Sequence, residues 1–457
     1  MSSLADRIRS VVGTARPIGS ADPHAPVTAI PDSRSPASPF ANPDSPISGE
    51  GLSPLGGDWR GSTYVIERRI GPATRHGREA VGTFAEALDA ASSQATFYAG
   101  GAPARTPFVF FDLETTGLSG GAGTQVFLVG FGWFDADASF ATRQFLLARY
   151  TDERPMLALV AEELERVGAL VSFNGKSFDA PVLETRYLFH RLATSVRTLP
   201  HVDVLHPARR FWKVQTGTAL RYGSSAAAAA AQPFRAASSE TCSLVALEKQ
   251  LLGVRRVGDV PGFEIPRRYF QFVRTGDARP LAAVLEHNRL DLLTLAALTA
   301  RLFHVTLHGP DAARDAREAL ALGHVYMRAD LVTRASDAYA RAVEMTERGI
   351  VSQVIRIESL RALALTHRRE RRYAAAAACW RRLLDTPGCP PAVSREATEA
   401  LAVHHEHRDR DLFAAKAFAL RSLELDAQPA WTRAVQHRLA RLEKKLRLSE
   451  PPASLLS

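Results

Sequence analysis

The segment F-V-F-F-D-L-E-T-T-G, residues 108–117, restricts the fold more than any other stretch of this 457-residue chain. Four consecutive apolar residues, aromatic or β-branched, suit a strand covered on both faces. Asp112 and Glu114 follow at i and i+2, and the two-residue period of a strand points both carboxylates to one side. Two like charges side by side at the end of a buried strand are costly unless a cation neutralises them, and hard oxygen ligands suit Mg²⁺ or Mn²⁺. A solvent-exposed D-x-E is the alternative; the apolar run before it and the T-T-G behind it argue against that. Glycines at 120, 121 and 123 mark a turn into a second, antiparallel strand at 125–134.

Two further segments carry acids. In L-V-S-F-N-G-K-S-F-D-A-P-V-L-E-T-R-Y, residues 170–187, a short strand ends at Asn174-Gly175 and a helix follows Asp179. Taken alone, Asp179 reads equally well as a helix N-cap, with Pro181 in the first turn as such a start prefers. In L-E-H-N-R-L-D-L-L-T-L-A-A-L, residues 285–298, His287 and Asp291 stand at i and i+4 on one face of a strong helix. Such a pair in isolation is more often a surface contact than catalytic. The joint occurrence of the three segments is what points to one site.

Between residues 107 and 305, strand-like runs alternate with helix-like periodic segments at 155–168, 180–193, 241–253 and 280–303, the signature of an α/β domain. Ser62 to Glu86, with T-Y-V-I-E-R-R-I followed by G-P and H-G, suggests a small hairpin leading into it. Residues 1–60, rich in Pro, Ser, Gly and Asp, read as a disordered tail, and the low-complexity stretch 219–240 as a surface-loop insertion. From about residue 312 no strand-like run survives. A shift of 41 residues superimposes Leu322 on Leu363, Gly323 on Ala364, Ala335 on Ala376 and Tyr339 on Trp380. That alternation of small and large residues resembles the tetratricopeptide repeat, in which small residues let paired helices approach. A looser third unit lies near 399–425. The expected organisation is an α/β domain at 61–308 followed by all-α helical repeats at 312–447.

With 46% apolar and 23% charged residues, collagen-like, coiled-coil and wholly disordered chains are excluded. No stretch approaches eighteen consecutive apolar residues without a charge, and M-S-S-L-A-D-R-I-R-S at the start contains no apolar core of signal-peptide length. A cytoplasmic protein with no membrane partner is expected. Cys242, Cys379 and Cys389 lack C-x-x-C spacing, so neither a disulfide framework nor a structural zinc site is supported. The net charge of +9 is uneven, at −3 over residues 1–200, +6 over 201–310 and +6 over 311–457, and 51 of the 57 basic residues are arginine. Arginine suits a polyanionic partner; the same excess also follows from codon usage in a GC-rich genome. If the charge is functional, Arg209, Arg210, Lys213, Arg255, Arg256, Arg267 and Arg268 should form a positive rim facing the acidic pocket. If it is not, they should be scattered and paired with acids such as Glu248 and Glu264.

The segments F-D-L-E-T-T-G (111–117), F-N-G-K-S-F-D-A-P-V-L (173–183), V-D-V-L-H-P-A-R-R-F-W (202–212), C-S-L-V-A-L-E (242–248) and G-D-V-P-G-F-E-I-P-R-R-Y-F through H-N-R-L-D-L-L (258–293) together resemble the DEDD 3′–5′ exonucleases of the ribonuclease-H-like superfamily. Within that group they resemble a YprB-like family of uncharacterised bacterial proteins. The likeness covers roughly residues 60–305, and the helical tail also matches the family's layout. It implies a ribonuclease-H-like domain with a mixed central sheet flanked by helices. It further implies a nuclease that hydrolyses the phosphodiesters of nucleic acid, DNA or RNA, with two Mg²⁺ or Mn²⁺ ions held by Asp112, Glu114, Asp179 and Asp291. Thr115, Thr116, Gly117 and Leu118 would hold the terminal nucleotide, and Asn174 and Asn288 would support the ligands, although turn or helix capping explains both Asn equally well. The superfamily places its catalytic Tyr four residues before the last Asp or its catalytic His five before; His287 stands four before Asp291, a His at the Tyr spacing. It is still placed to orient or deprotonate the attacking water. A different class of reading stands beside this one: a nucleic-acid-binding or scaffold protein with a weakened nuclease-like domain, whose helical repeats recruit a protein partner.

Overall fold

The sheet grows outward from the apolar run at 108–115. The computed structural model describes residues 49–117, 123–213, 242–348, 352–424 and 429–449, all within one compact unit, Pro43–Ser457. Seven strands form one mixed sheet: β1 (Asp58–Arg60), β2 (Thr63–Ile70), β3 (Phe108–Thr115), β4 (Val126–Phe134), β5 (Phe140–Leu146), β6 (Ala169–Ser172) and β7 (His201–Asp203). Their order is β1-β2-β5-β4-β3-β6-β7. The meander β3-β4-β5 is antiparallel, β2 and β1 extend it antiparallel beyond β5, and β6 and β7 run parallel to β3. The parallel strands need crossovers, which helices α2 (Glu153–Leu164) and α3 (Asp179–Phe189) supply, and α4 (Leu205–Phe211) follows β7.

Side-chain alternation along β3 divides the core. Phe111 and Leu113 pack into one apolar layer with α2, α3 and α5 (Ile265–Thr275), while Phe108 and Phe110 pack into another with α1 (Val81–Ala90) and α6 (Leu281–His308). Asp112 and Glu114 share the parity of Phe108 and Phe110, so they turn toward α6. By length and composition α6 is apolar enough to cross a membrane, but 72% of its most apolar window is buried inside this body, as in a core helix.

The chain enters the fold earlier than its composition suggests. Residues 49–60, expected in the tail, join the folded body because Leu52 and Leu55 are buried against the sheet and Tyr64 Oη donates to the Leu52 carbonyl at 3.0 Å. T-Y-V-I-E-R-R-I is not a separate hairpin but strand β2 of the main sheet; a two-stranded ribbon, Arg75–His76 with Glu79–Ala80, follows it. The proposed insertion at 219–240 lies outside the described residues, as do residues 1–48.

Beyond α6 come α7 (Ala316–Arg328), α8 (Val332–Arg348), α9 (Gln353–Arg369), α10 (Tyr373–Leu384), α11 (Pro391–His404), α12 (Leu412–Leu423) and α13 (Pro429–Ser449), with no strand among the described residues. Each packs on the next, and short turns join most of them. Ala335, Tyr339, Ala376 and Trp380 are all buried, as the 41-residue shift requires. Gly323 lets α7 and α8 close, since a Cβ there would lie 2.4 Å from the Tyr339 ring. The two regions are riveted at Glu318 of α7, which accepts hydrogen bonds from Trp212 Nε1 at 2.9 Å and Arg301 Nη2 at 2.5 Å. Asp315 caps α7 by accepting from Glu318 N at 2.9 Å, and the Glu318 carboxylate accepts from Arg314 N at 2.8 Å.

Candidate active site

Three elements bring the acids together. Asp112 and Glu114 lie on β3, Asp179 opens α3, and Asp291 lies on α6. Because β6 is parallel to β3, the loop leaving β6 emerges at the edge of the sheet where β3 carries its two acids. That loop is fixed from β7: Asp203 Oδ1 accepts from Asn174 N at 2.9 Å and Leu205 N at 3.1 Å, and Oδ2 from Lys176 N at 3.1 Å. Asn174 has a left-handed φ of 72°, so its part in the turn is played by its backbone. Gly175 is forced by space, since a Cβ would stand 2.4 Å from Ser172 Oγ and 3.0 Å from Asp179 Oδ2. Asp179 is the first helical residue, not the N-cap, and no side-chain cap is made at Phe178 before it. Its carboxylate is thus left to the pocket.

Asp179 and Asp291 act on Asp112, and all three act on Glu114. Burial and the charges of Asp179 and Asp291 push Asp112 well above the usual carboxylate range, against the opposing pull of His287 and Asn288. Glu114 is pushed well above it by burial and by Asp112, Asp291 and Asp179. Asp179 is raised to about 7 by burial and the charge of Asp203. Buried acids that resist ionisation because other acids face them are a donor set short of positive charge. Hard oxygen donors in that state fit divalent ions such as Mg²⁺ or Mn²⁺. Among the described residues, no three His, Cys, Asp or Glu side chains are drawn close enough to cage an ion as they stand.

Each acid from the α6 side is braced. Asn288, fully buried, donates from Nδ2 to Asp112 Oδ2 at 2.8 Å, and its Oδ1 accepts from Gln144 Nε2 at 2.8 Å. Gly130 on β4 makes room for that amide, since a Cβ there would lie 2.2 Å from Asn288 Oδ1. Arg256 Nη2 donates to Asp291 Oδ1 at 2.5 Å, and Asp259 Oδ1 stands 2.6 Å from His287 Nδ1. Burial opposes the ionisation of Asp259, but the hydrogen bond from His287 and the charges of His287 and Arg256 hold it below the usual range. As an ionised acceptor it accepts a hydrogen bond from the Nδ1–H, which leaves His287 Nε2 turned to Asp291, 3.5 Å from Oδ2.

At the mouth, Thr115 Oγ1 donates to the Gly117 carbonyl at 2.9 Å, and Thr116 N donates to the Gln125 carbonyl at 2.9 Å while its Oγ1 accepts from Gln125 N. A register shift between Glu114 and Thr115 ends regular pairing there. Leu118 lies outside the described residues. The expected positive rim is not continuous. Arg256 is buried among acids, pairing with Glu248, and Arg268 pairs with Glu264. Arg210 acts on His324 of α7, and Arg209 and Lys213 on Cys242, while Arg255 and Arg267 are exposed. Codon usage and function both leave arginines on a surface; only their pairing separates the two, and here it divides them.

Asp259, Gln144 and Asp203 escaped the reading of the sequence, and Arg256 and Glu248 entered it only as a rim cation and the acid that would pair with it. Gln144 had one signal, a polar residue within the otherwise pairing-competent run F-A-T-R-Q-F-L of β5, and Asp259 another, its place in G-D-V-P-G.

Residues 109–303 match a family model described as RNase_H superfamily. The chain is also 30% identical over 342 residues to the Uncharacterized protein YprB of Bacillus subtilis (strain 168), an alignment that covers 74% of this chain and 74% of that protein. With its mixed sheet, its flanking helices and its helical C-terminal region, the chain belongs to the YprB family and carries a ribonuclease-H-like domain.

Proposed function

We propose that the protein is a metal-dependent 3′–5′ exonuclease that hydrolyses terminal phosphodiesters of single-stranded nucleic acid. The observation that carries this reading is the convergence of β3, α3 and α6 on one acidic cluster, in which the charges of Asp179 and Asp291 bear on both Asp112 and Glu114. RNase H superfamily membership supports nuclease chemistry in general. Asp112, Glu114, Asp179 and Asp291 would hold two divalent ions, which when bound supply Lewis acidity and a water that ionises near neutral pH. The rest falls to the chain's own groups. His287, its Nδ1 held by Asp259, presents Nε2 to take up the proton of the attacking water. Asn288 fixes one oxygen of Asp112, so the carboxylate cannot rotate away from the pocket. The backbone of Thr115 to Gly117 receives the terminal nucleotide, and Arg255 and Arg267 draw in the phosphate chain. The C-terminal helix pairs, tetratricopeptide-like in their small-against-large packing, would recruit a protein partner.

The test is digestion of single-stranded DNA and RNA oligonucleotides labelled at the 5′ end, with Mn²⁺ or Mg²⁺ and with chelator. A ladder shortening from the 3′ end, lost with chelator and in Asp112→Asn, is expected. Internal cleavage would retain a nuclease but end the exonuclease reading, and undegraded oligonucleotide at every metal concentration would end both. A second reading, a scaffold with a weakened nuclease-like domain, is favoured by one observation: His287 stands four residues before Asp291, where the superfamily's catalytic His stands five before. Tight oligonucleotide binding without cleavage would select it.

A further inference from the structure

Arg256 has no place in the chemistry proposed above, yet it pairs with three acids beside the pocket. Its side chain is 3% exposed, and each terminus of the guanidinium meets a different acid. Nε donates to Glu248 Oε2 at 2.7 Å, Nη1 to Asp259 Oδ2 at 3.4 Å, and Nη2 to Asp291 Oδ1 at 2.5 Å. Glu248 is itself buried, and His76 Nε2 of the two-stranded ribbon stands 3.7 Å from its other oxygen. The ribbon is tied to the same segment, since Arg78 N donates to the Leu252 carbonyl at 3.0 Å and Gly77 admits no Cβ there.

We infer that Arg256 is a positioning residue for Asp291: anchored by Glu248, it holds Oδ1 and so turns Oδ2 to the pocket. The planar fork explains why arginine stands here. Three acids approach one guanidinium from three directions, which a lysine ammonium on a flexible stem cannot match with the same fixed geometry. The same loop serves His287, because Asp259 accepts from Arg256 Nη1 through one oxygen and from His287 Nδ1 through the other. Carboxylates that bind a metal are commonly held by such partners, and losing the partner weakens the site. The inference rests on the proposal that Asp291 is a metal ligand. It also opposes a simpler electrostatic expectation: a fixed cation beside a cation site repels the incoming ion, so its removal alone should tighten binding.

The sign of the change in metal affinity decides between the two. Mn²⁺ binding to the full-length chain without nucleic acid is measured by calorimetry and by the loss of the free-ion electron paramagnetic resonance signal. Wild type is compared with R256Q, R256K, E248Q and D112N, with circular dichroism and thermal unfolding on each. R256Q is expected to bind Mn²⁺ about 10–100-fold more weakly than wild type. R256K is expected to recover thermal stability, because it restores the charge, but not Mn²⁺ affinity, because it lacks the fork. E248Q leaves every pocket side chain in place and should lose affinity a few-fold. Affinity unchanged or tightened in R256Q overturns the inference; should R256Q not fold, unchanged affinity in E248Q does so. Wild type that binds no Mn²⁺, or D112N that binds it as wild type does, instead removes the metal site beneath it. D112N weakened beside an unaltered R256Q removes the role of Arg256 alone.

Discussion

Replacing Asp179 by Asn is expected to stabilise the metal-free protein, and to do so in a pH-dependent way. Asp179 is buried at the start of α3, and its pKa rises from 3.8 to about 7 through burial and the charge of Asp203. The sign follows from linkage. A carboxyl whose pKa is raised on folding favours the folded state while it stays protonated, below its unfolded value, and that contribution is lost as pH climbs through its folded value. At about 1.36 kcal/mol per pKa unit, the rise sets an upper figure of about 4 kcal/mol for the penalty carried by the ionised form above neutrality. Asn cannot ionise and escapes the penalty. In urea unfolding with chelator, D179N and wild type should differ little near about pH 4, and D179N should be the more stable by up to about 4 kcal/mol near about pH 8. Excess Mn²⁺ should narrow or reverse the gap at the higher pH, because only the wild type gains from a bound cation at full strength. A D179N protein less stable than wild type by the same amount at both pH values would refute the reasoning. It would mean that the carboxylate is satisfied in the fold rather than held there at a cost.

Three other perturbations probe the surroundings. Gly323→Ala drives a Cβ to within 2.4 Å of the Tyr339 ring and should cost about 1–3 kcal/mol, read as a lower midpoint in thermal unfolding. Glu318→Ala strands Arg301 and the Trp212 indole N–H at the junction and should cost about 3–5 kcal/mol in urea unfolding; an unchanged midpoint would mean the rivet carries no load. Binding of a single-stranded oligonucleotide, with Ca²⁺ in place of Mn²⁺, should weaken steeply with added salt, and Arg255→Ala with Arg267→Ala should flatten that dependence. An affinity indifferent to salt would count against a nucleic-acid substrate.

What the sequence made legible was whatever periodicity alone controls. F-V-F-F and the D-x-E behind it had to form a buried strand with both acids on one face, and the meander β3-β4-β5 follows from short antiparallel connections. The loss of strand-like runs after residue 312 likewise led directly to helices. Periodicity fails where a single long-range contact decides. Leu52 and Leu55 are two apolar residues in a Pro- and Gly-rich stretch, and only the sheet edge they meet draws residues 49–60 into the fold. Asp179 looked like a helix cap because capping residues and pocket acids share a position; the loop pinned by Asp203 from β7 separates the two roles. The braces are the least legible of all. Arg256 reads as one more arginine in an arginine-rich chain, and its meaning depends on Glu248, Asp259 and Asp291 meeting in space. For Asn288 the sequence leaves ligand support and helix capping equally open; Gly130 and Gln144, on two different strands, are what make it internal.

The central claim is that Asp112, Glu114, Asp179 and Asp291 form one divalent-cation site. Its most direct test is a crystal soaked in Mn²⁺, with anomalous scattering recorded at the manganese edge. The account predicts anomalous peaks inside the pocket within about 2.5 Å of oxygens from β3, α3 and α6, with Asp291 contributing through Oδ2 while Oδ1 stays on Arg256. Manganese found only at surface carboxylates, with the pocket acids left protonated and paired among themselves, would contradict it.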